Sequence, residues 1–518
     1  MRFTALLAVA LPTLLTSGHP AEESETEKRL LLDPVCIQIA SSTSSRTSVY
    51  YPGDLRYVAD IYHWASSSAQ LARCSVRPGT AADVGIILGI VGSTRTPFAV
   101  GHHLHATPSF CPNRTPQVKG GGHASNPGFS STTGILIAMS RFSEVTYDAT
   151  SQTAVIGAGL VWDDVYAALA PYNVNVVGGQ VSGVGVPGFT LGGGMRGYST
   201  GYSWLTNQHG LTLDTVQAFE LVKPNGVVST ITRASDPDLF FGLKGGMNNF
   251  GIVTRFTLQT FPQGQVWGGL INYLSPQIPA VAAATAAFSA SVTDPKASII
   301  STYNFLLGQP VISHLMFYDG PTPPAGIFDT FLAIPCLSKD ISTCDFLSLV
   351  QASPSNVTSG QRAIFNTVSL KQYTPSLLSA ILNETVFWGT NLSLKSGIFI
   401  SYDVEPFLSS IFAHGTASSS AYPPSRSASL SPFNIYYAWT LGLFDEDFYA
   451  AARQSAAHIR DLAIAEGQDI ADAAMYPNYA IFDTPITGLY GANVPALQAL
   501  KAVVDPANVM GLAGGFKI

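Results

Sequence analysis

Three consecutive glycines with a histidine directly behind them restrict what this chain can fold into more than any other stretch: Lys119-Gly-Gly-Gly-His-Ala-Ser-Asn-Pro-Gly-Phe129. Glycines at 120–122 permit φ > 0 and leave the main chain open to a group that a Cβ would exclude. A histidine placed there is held at a fixed point beside open backbone. The run Gly134-Ile-Leu-Ile-Ala-Met139 follows and predicts a buried strand. Taken alone, the stretch also reads as a glycine-rich turn with a chance histidine. A second cluster decides between the two: residues 178–194 hold eight glycines in 17 positions. Such a loop offers a row of bare backbone N–H groups, a nest for an anion such as a pyrophosphate. Gly183-Val-Gly-Val-Pro-Gly188 has the Gly-x-Gly-x-x-Gly spacing, but the loop is not expected to open a helix, which disfavours a nicotinamide Rossmann site, and it lacks the Lys-Ser or Lys-Thr of a P-loop. A third glycine-bearing stretch, Asp238-Leu-Phe-Phe-Gly-Leu-Lys-Gly-Gly-Met-Asn-Asn-Phe-Gly-Ile-Val-Thr254, again abuts a strand.

At 518 residues the chain has room for two or three domains and a large core. Charged residues make up only 11% of it, against about 25% in ordinary globular proteins. A net charge of −7 with no basic block argues against nucleic acid as a partner. The first 18 residues carry one arginine, an apolar run and then small residues, which predicts a secretory signal peptide and a secreted product. No other run approaches the length of a membrane span, so no membrane partner is expected. Sequons at Asn113, Asn356, Asn383 and Asn391 fit glycosylation outside the cell. Five cysteines suggest two disulfides and one thiol left over. Cys36 and Cys74 could staple the N-terminal region, Cys336 and Cys344 could pair across a short polar loop, and Cys111 is the odd one.

Along the chain, the spacing of Leu55, Val58, Ile61, Trp64 and Leu71 predicts a helix over residues 51–71, and a second follows from Ala81 towards Ile90. Beyond the histidine, residues 153–156 and 174–177 read as strands and 162–169 as a helix. Residues 215–222 and 227–231 form a hairpin across Lys223-Pro-Asn-Gly226. Asp236-Pro237 starts a helix, and an alternating strand from Gly251 to Leu258 leads to Phe261-Pro262. From about residue 263 the glycine clusters stop. Strand-like runs at 268–273, 297–305, 312–317, 398–404 and 434–440 mix with helices at 278–292 and 447–466, and a last helix spans 495–503. The expected class is α+β, with a large antiparallel sheet flanked by helices in the second half.

In order, Lys119-Gly-Gly-Gly-His123, Gly157-Ala-Gly159, Gly183-Val-Gly-Val-Pro-Gly with Leu191-Gly-Gly-Gly194, Gly210-Leu-Thr-Leu-Asp214 and the stretch from Asp238 to Thr254 resemble the vanillyl-alcohol-oxidase/PCMH flavoproteins. Within that family they resemble the berberine-bridge-enzyme-like oxidases of the secreted fungal kind. Tyr476-Pro-Asn-Tyr479, Tyr490-Gly491 and Asp505-Pro-Ala-Asn-Val509 match the family's last segment. The resemblance implies a PCMH-type FAD-binding domain of two α/β subdomains at 30–265, a substrate domain at 266–469, and a segment at 470–518 that returns to the FAD domain.

The cofactor implied is FAD. Lys119, Gly120, Gly121, Gly122, His123, Ala124 and Gly128 would form one side of its site, and His123 would carry the only covalent bond to it. Val181, Ser182, Gly183, Val184 and Gly188 would form another side, continued by Leu191, Gly192, Gly193 and Gly194. Gly251, Ile252 and Val253 would complete it together with Asn478. Bicovalent members carry a cysteine where this chain has Val181, so a second link is not expected. Val184 stands where valine goes with oxygen reactivity in the family. The implied activity is a secreted oxidase that takes a hydride from a hydroxyl- or amine-bearing small molecule, a carbohydrate, alcohol or secondary metabolite, and passes electrons to O2 to give H2O2. A flavin-fold protein without turnover and a dehydrogenase with another acceptor are the alternatives. Tyr476, Tyr479 and Asn478 would face the flavin; a tyrosinate base would need a nearby cation. His414 is the rival base. No metal is expected, and a monomer is.

The chain departs from the family between Ala99 and Val118. Gly101-His-His-Leu-His-Ala-Thr-Pro-Ser-Phe-Cys-Pro-Asn-Arg-Thr-Pro-Gln117 intervenes where the family runs directly into the histidine loop. Its histidines and Cys111 are metal-ligand types, but the prolines and the spacing match no zinc pattern. Valine codons begin with GT, Gln117 can be encoded CAG, and residues 100–117 make 18 whole codons. The segment therefore reads as a short intron translated as coding sequence, whose removal joins Pro97-Phe-Ala99 to Val118-Lys-Gly-Gly-Gly-His123.

Overall fold

Strand Cys74–Arg77, helix Ala81–Thr94 and strand Phe98–Gly101 make one β-α-β unit, with strand Ile135–Ala138 lying between the two strands and parallel to both. In this computed structural model the described residues are 33–101, 124–192, 202–353, 357–416, 419–428 and 430–518. Thr80 caps the helix by accepting from the Asp83 amide, one of the donors a helix start leaves unpaired. Strand Ser48–Tyr50 adds antiparallel to Cys74–Arg77 and completes a four-stranded sheet. A disulfide between Cys36 and Cys74 ties helix Pro34–Ser42 to this sheet, as expected.

The second sheet is antiparallel, in the order Val145–Asp148, Thr153–Gly157, Ile252–Gln259, Val216–Val222, Val228–Thr232. Its hairpin turns at Lys223-Pro-Asn-Gly226, where Gly226 adopts φ 83°. Helix Pro237–Leu243 begins where Asp236 accepts from the Leu239 amide and Pro237 occupies the first turn. The third sheet has seven antiparallel strands: Ser338–Cys344, Val266–Tyr273, Gln309–Tyr318, Ala297–Leu306, Gly397–Val404, Ser431–Trp439 and Arg362–Leu370. Helices Ile278–Ser291, Pro375–Ser393 and Asp445–Ala465 pack against it and each other. Its central strands are buried along nearly their whole length. The reason is that both faces are covered: Ile299, Ile312 and Met316 join the helices' core, whereas Ile300, Leu315 and Phe317 join the core of the first two sheets. The α+β class with a large antiparallel sheet is thus the observed one.

The chain after residue 470 runs back to the first sheet. Ala513 bridges Phe98 in parallel, and Val509 packs on Gly92 of the first helix. Lys501 bonds Asp505 at 2.6 Å and the Asn249 carbonyl at 2.9 Å, fixing this return against the third glycine stretch.

Several local expectations fail for physical reasons. The helix expected over 51–71 is only Leu55–Ile61, followed by a 3-10 turn at Ser66–Ser68. Leu55 and Leu71 are 85% and 75% exposed while Trp64 is buried in a separate small core, so the apolar spacing does not form one helix face. The strand expected at 174–177 is the pair Val174–Asn175. Helix Pro375–Ser393 and strand Arg362–Leu370 were not expected at all. Cys336 and Cys344 are both free thiols. The residues between them form strand Ser338–Cys344, whose extended backbone holds the two ends roughly 20 Å apart, far beyond disulfide reach. Cys111, Asn113 and Asn356, the signal segment and most of the insertion lie outside the described residues.

Candidate active site

A cavity enclosing about 1000 Å³ of empty space opens where the first sheet, the second glycine cluster, the third glycine stretch and the returning chain meet. Val100 and Gly101 enter from the end of their strand, and Ala124, Phe129 and Ser130 from the stretch that follows His123 in sequence. Gly185, Gly188, Leu191 and Gly192 enter from around helix Val186–Leu191, and Met247 to Val253 contribute a third wall. Asn478, Gly514 and Gly515 close it. None of the described lining residues carries a charge.

Glycine at two of these positions has a specific reason. A Cβ on Gly192 would lie 2.3 Å from Asn478 Oδ1, so only glycine lets the helix end approach that amide. Gly251 has φ 141°, and a Cβ there would meet the Val222 carbonyl at 2.4 Å. Gly188, by contrast, has nothing within 4 Å of its Cβ position, leaving bare backbone towards open space.

The expected cofactor residues divide into three groups. Ala124, Gly188, Leu191, Gly192, Gly251, Ile252, Val253 and Asn478 all line the cavity. Val181, Ser182, Gly183, Val184 and Gly128 do not, although each is close in sequence to residues that do. The loop is not a row of bare amides. Asp163 accepts from the Gly183 amide at 2.7 Å and from the Ser182 hydroxyl at 2.6 Å, while the Val184 carbonyl accepts from the Trp162 amide. Val181 and Val184 are packed in the core. Gly128 abuts Gly514, whose Cβ would stand 1.6 Å from its carbonyl oxygen. Lys119, Gly120, Gly121, Gly122, His123, Gly193 and Gly194 lie outside the described residues.

Among the described residues, the buried amide oxygen of the cavity residue Asn478, Oδ1, has no partner. A buried acceptor without a donor is costly, which marks it as a position for a ligand's N–H or O–H. A cavity whose described lining is uncharged, with glycine-only approaches and such an acceptor, fits a planar heteroaromatic carrying N–H groups, and FAD is such a group.

Beside Asn478 stand Tyr476 and Tyr479, both fully buried and packed edge to face at 5.5 Å. Asn478 Nδ2 donates to the Tyr476 hydroxyl at 2.8 Å. The Tyr479 hydroxyl donates to Glu405 Oε1 at 3.0 Å, and Glu405 Oε2 is buried with no partner. Glu405 follows strand Gly397–Val404, two residues beyond Asp403. Burial, and then the Asp403 charge, push the Glu405 carboxyl far above the usual carboxylate range. Burial likewise brings Asp403 up to about 6, against hydrogen bonds from Asn434 at 2.6 Å and Ser401 at 3.1 Å. Burial and the neighbouring Glu405 also raise Tyr479. The cation that would make Tyr479 a tyrosinate is therefore not the arrangement found; a carboxyl takes its place. Glu405 was missed in the sequence, although two carboxylates spaced by two in an otherwise apolar strand, Tyr402-Asp403-Val404-Glu405, were a usable signal.

His414 is not brought to this cluster. It is exposed in the 3-10 turn Ile411–His414 and faces a different cleft, shared with Asn207 and His209. His209 stacks on Phe261 at 3.7 Å, and burial holds its imidazole at about 4, a neutral packing group.

A model for an FAD binding domain matches residues 110–232. An uncharacterized FAD-linked oxidoreductase of Arthroderma benhamiae is 32% identical over 68% of this chain, which spans 65% of that relative. The FAD-dependent monooxygenase drtC of Aspergillus calidoustus is 29% identical over 91% of this chain and 87% of its own. In fold, the chain is similar to the berberine-bridge-enzyme-like protein 1 of Physcomitrella patens, with a TM-score of 0.72 at 18% identity over 92% of this chain and 97% of that one. It is similar also to a carbohydrate oxidase from Microdochium nivale, with a TM-score of 0.70 at 18% identity over 92% and 98%. The FAD-binding match, a cavity suited to a flavin and these similarities together make the chain an FAD-linked oxidoreductase with the PCMH-type fold of the berberine-bridge-enzyme-like and carbohydrate oxidases.

Proposed function

We propose that the protein is a secreted oxidase that removes a hydride from a hydroxyl- or amine-bearing small molecule and delivers the electrons to O2, giving hydrogen peroxide. The observation that carries this reading is the Tyr479–Glu405 hydrogen bond beside the cavity residue Asn478. FAD, when bound, supplies the two-electron acceptor for that hydride. Asn478 and the bare backbone at Gly188 and Gly192 hold the ring system, and His123 is its single attachment point, since Val181 stands where a second link would need a cysteine. The substrate's O–H or N–H proton passes to the Tyr479 oxygen while the tyrosine's own proton moves to Glu405 Oε1. The adjacent C–H bond then breaks with its electron pair leaving as hydride. A carboxylate with a raised pKa is a stronger base than an ordinary one, and Tyr479 relays to it without having to ionise first. The disulfide between Cys36 and Cys74 supports a site of action outside the cell.

A second reading rests on the Aspergillus relative, which is named a monooxygenase, an activity in which one oxygen atom of O2 enters the product. One experiment separates the two. A panel of oligosaccharides, alcohols and phenolic compounds is incubated with enzyme under ¹⁸O2. Stoichiometric peroxide with an unlabelled oxidised product supports the oxidase; label in the product with no peroxide supports the monooxygenase. No bleaching of the flavin by any compound would overturn both.

A further inference from the structure

FAD carries two negative charges on its diphosphate, and among the described residues that line the cavity there is no cation to meet them. Burying an anion without a counter-charge is strongly unfavourable. The described cation that bonds to a lining residue is Lys517. Its Nζ lies 3.0 Å from Asn248 Oδ1 and about 3.8 Å from the Cβ position of Gly515, and both of those residues line the cavity. The segment that carries it is firmly placed: Asn248 donates to the Gly514 carbonyl at 3.0 Å, Asn249 donates to the Phe516 carbonyl at 3.0 Å, and Phe516 packs edge-on against Phe129. Lys517 is half-buried, and no carboxylate pairs with it among the described residues. Its nearest acid, Asp505, is already taken by Lys501 at 2.6 Å and by the amides of Val509 and Met510.

Resting on the reading of the cavity as the FAD site, we propose that Lys517 supplies the positive charge for the diphosphate of the bound dinucleotide. Asn248 aims the ammonium, and Gly515, whose Cβ would stand 3.1 Å from Asn248 Oδ1 and 3.8 Å from Lys517 Nζ, leaves the backbone beside it bare. Without the anion, burial and the nearby Lys501 bring the Lys517 ammonium down to about 7, the behaviour of a cation that lacks its counter-ion. A charge-assisted hydrogen bond of this kind changes affinity by roughly ten- to a hundredfold.

The test uses the full chain carrying His123→Ala, so that flavin binding stays reversible, and measures FAD, ADP and riboflavin by fluorescence titration and competition. ADP carries the diphosphate without the flavin ring, and riboflavin carries the ring without any phosphate. Lys517→Gln keeps a donor for Asn248 and should weaken FAD and ADP by roughly ten- to a hundredfold while leaving riboflavin and the ligand-free melting temperature unchanged. Lys517→Arg should restore most of the affinity. Equal FAD and ADP affinity in the Gln variant, or an equal loss for riboflavin, overturns the assignment and leaves Lys517 as a structural anchor of Asn248. If the His123→Ala parent binds ADP and FAD not at all, it is the FAD reading of the cavity that fails. Should the Gln variant not fold, the Arg and Met variants carry the same comparison.

Discussion

The hydroxyl of Tyr479 points at Glu405 across 3.0 Å, joining the returning segment of the chain to the end of a strand in the seven-stranded sheet. Neither partner has an exposed surface, and the second carboxylate oxygen of Glu405 is unpaired. The proton acceptor of the proposed reaction is thus assembled from two segments about 70 residues apart, and each is inert without the other.

Glu405→Gln should lower the rate of anaerobic flavin reduction by about 10²–10⁴-fold, since it keeps the shape but removes the base. Tyr479→Phe should lower it to a similar degree, and the double variant no further, because the two groups act as one unit. Stopped-flow absorbance at the flavin band measures this directly. Full reduction rates in Glu405→Gln would exclude the relay. In the wild type the rate should rise with pH, with its inflection above the range of an ordinary carboxylate, because burial raises Glu405 and only its ionised form accepts a proton.

Asp403 gives a stability prediction with a definite sign. Burial holds it at about 6, above the ordinary 3.8, so the neutral carboxyl is the form the fold prefers. The stability it contributes is fully present below pH 4 and is lost as pH rises through 6, by about 3 kcal/mol. Asp403→Asn should therefore raise the melting temperature at pH 8 and leave it unchanged at pH 4; its side chain can still accept from Asn434 and donate to Ser401. An equal effect at both pH values would show that Asp403 is ionised throughout.

Much of the fold was legible because local chemistry and burial agree there. The hairpin at Lys223-Pro-Asn-Gly226, helix Trp162–Leu169 and the strands Ala297–Leu306 and Gln309–Tyr318 carry turn residues or long apolar runs that tertiary contacts reinforce. Helix Pro375–Ser393 went unread although Thr374 accepts from the Leu377 amide and Pro375 opens it, a start signal hidden among serines and asparagines. In the site, glycines that bare the backbone were readable one by one. Glu405 went unread although it follows Asp403 by two residues at the end of an apolar strand, because nothing near Tyr479 in sequence tells which distant strand will face it. In the loop 178–194 no local pattern announces that Asp163, some twenty residues earlier, takes the Gly183 amide and the Ser182 hydroxyl.

The two kinds of cysteine can be told apart by mass. Cys36 and Cys74 close a loop with a sequence separation of 38, and removing the bridge by Cys36→Ser with Cys74→Ser should destabilise the protein by about 4 kcal/mol in the chain-entropy account. Alkylation of the denatured, unreduced protein should label Cys336 and Cys344 but not Cys36 or Cys74. Absence of label on the first pair would indicate that they find partners after all.

Val184 tests the choice of electron acceptor. It is fully buried, and its Cβ stands 3.2 Å from the Cβ position of Gly179, so there is little space to enlarge it. Val184→Leu should slow reoxidation of the reduced enzyme by air while leaving anaerobic reduction by substrate nearly unchanged, at a stability loss of about 1–3 kcal/mol. If both forms reoxidise equally slowly, the enzyme uses another acceptor and the valine serves packing alone.

The last prediction concerns residues 100–117. Strand Phe98–Gly101 pairs in parallel with Ile135–Ala138, placing Val100 opposite Ile137 and Gly101 opposite Ala138, and both Val100 and Gly101 line the cavity. Deleting residues 100–117 would put Val118 and Lys119 into those two pairing positions. The first exchange is valine for valine. The second adds a Cβ that would lie 3.3 Å from Leu136 Cδ1, the mobile end of a side chain that can move aside. The strand therefore tolerates the deletion, and Gly-Gly-Gly-His123 then follows it without an intervening segment. Covalent attachment needs the imidazole within about half an ångström of its productive position, and a shorter connection restricts where it can go. Loop closure itself changes little, since its entropy grows only logarithmically with length. The shortened chain should consequently keep its melting temperature and gain flavin that survives acid precipitation, read from the absorbance of the redissolved pellet. The natural transcript should lack the 18 codons. Equal covalent flavin in both forms, with a transcript that retains the segment, would establish residues 100–117 as a genuine part of the protein.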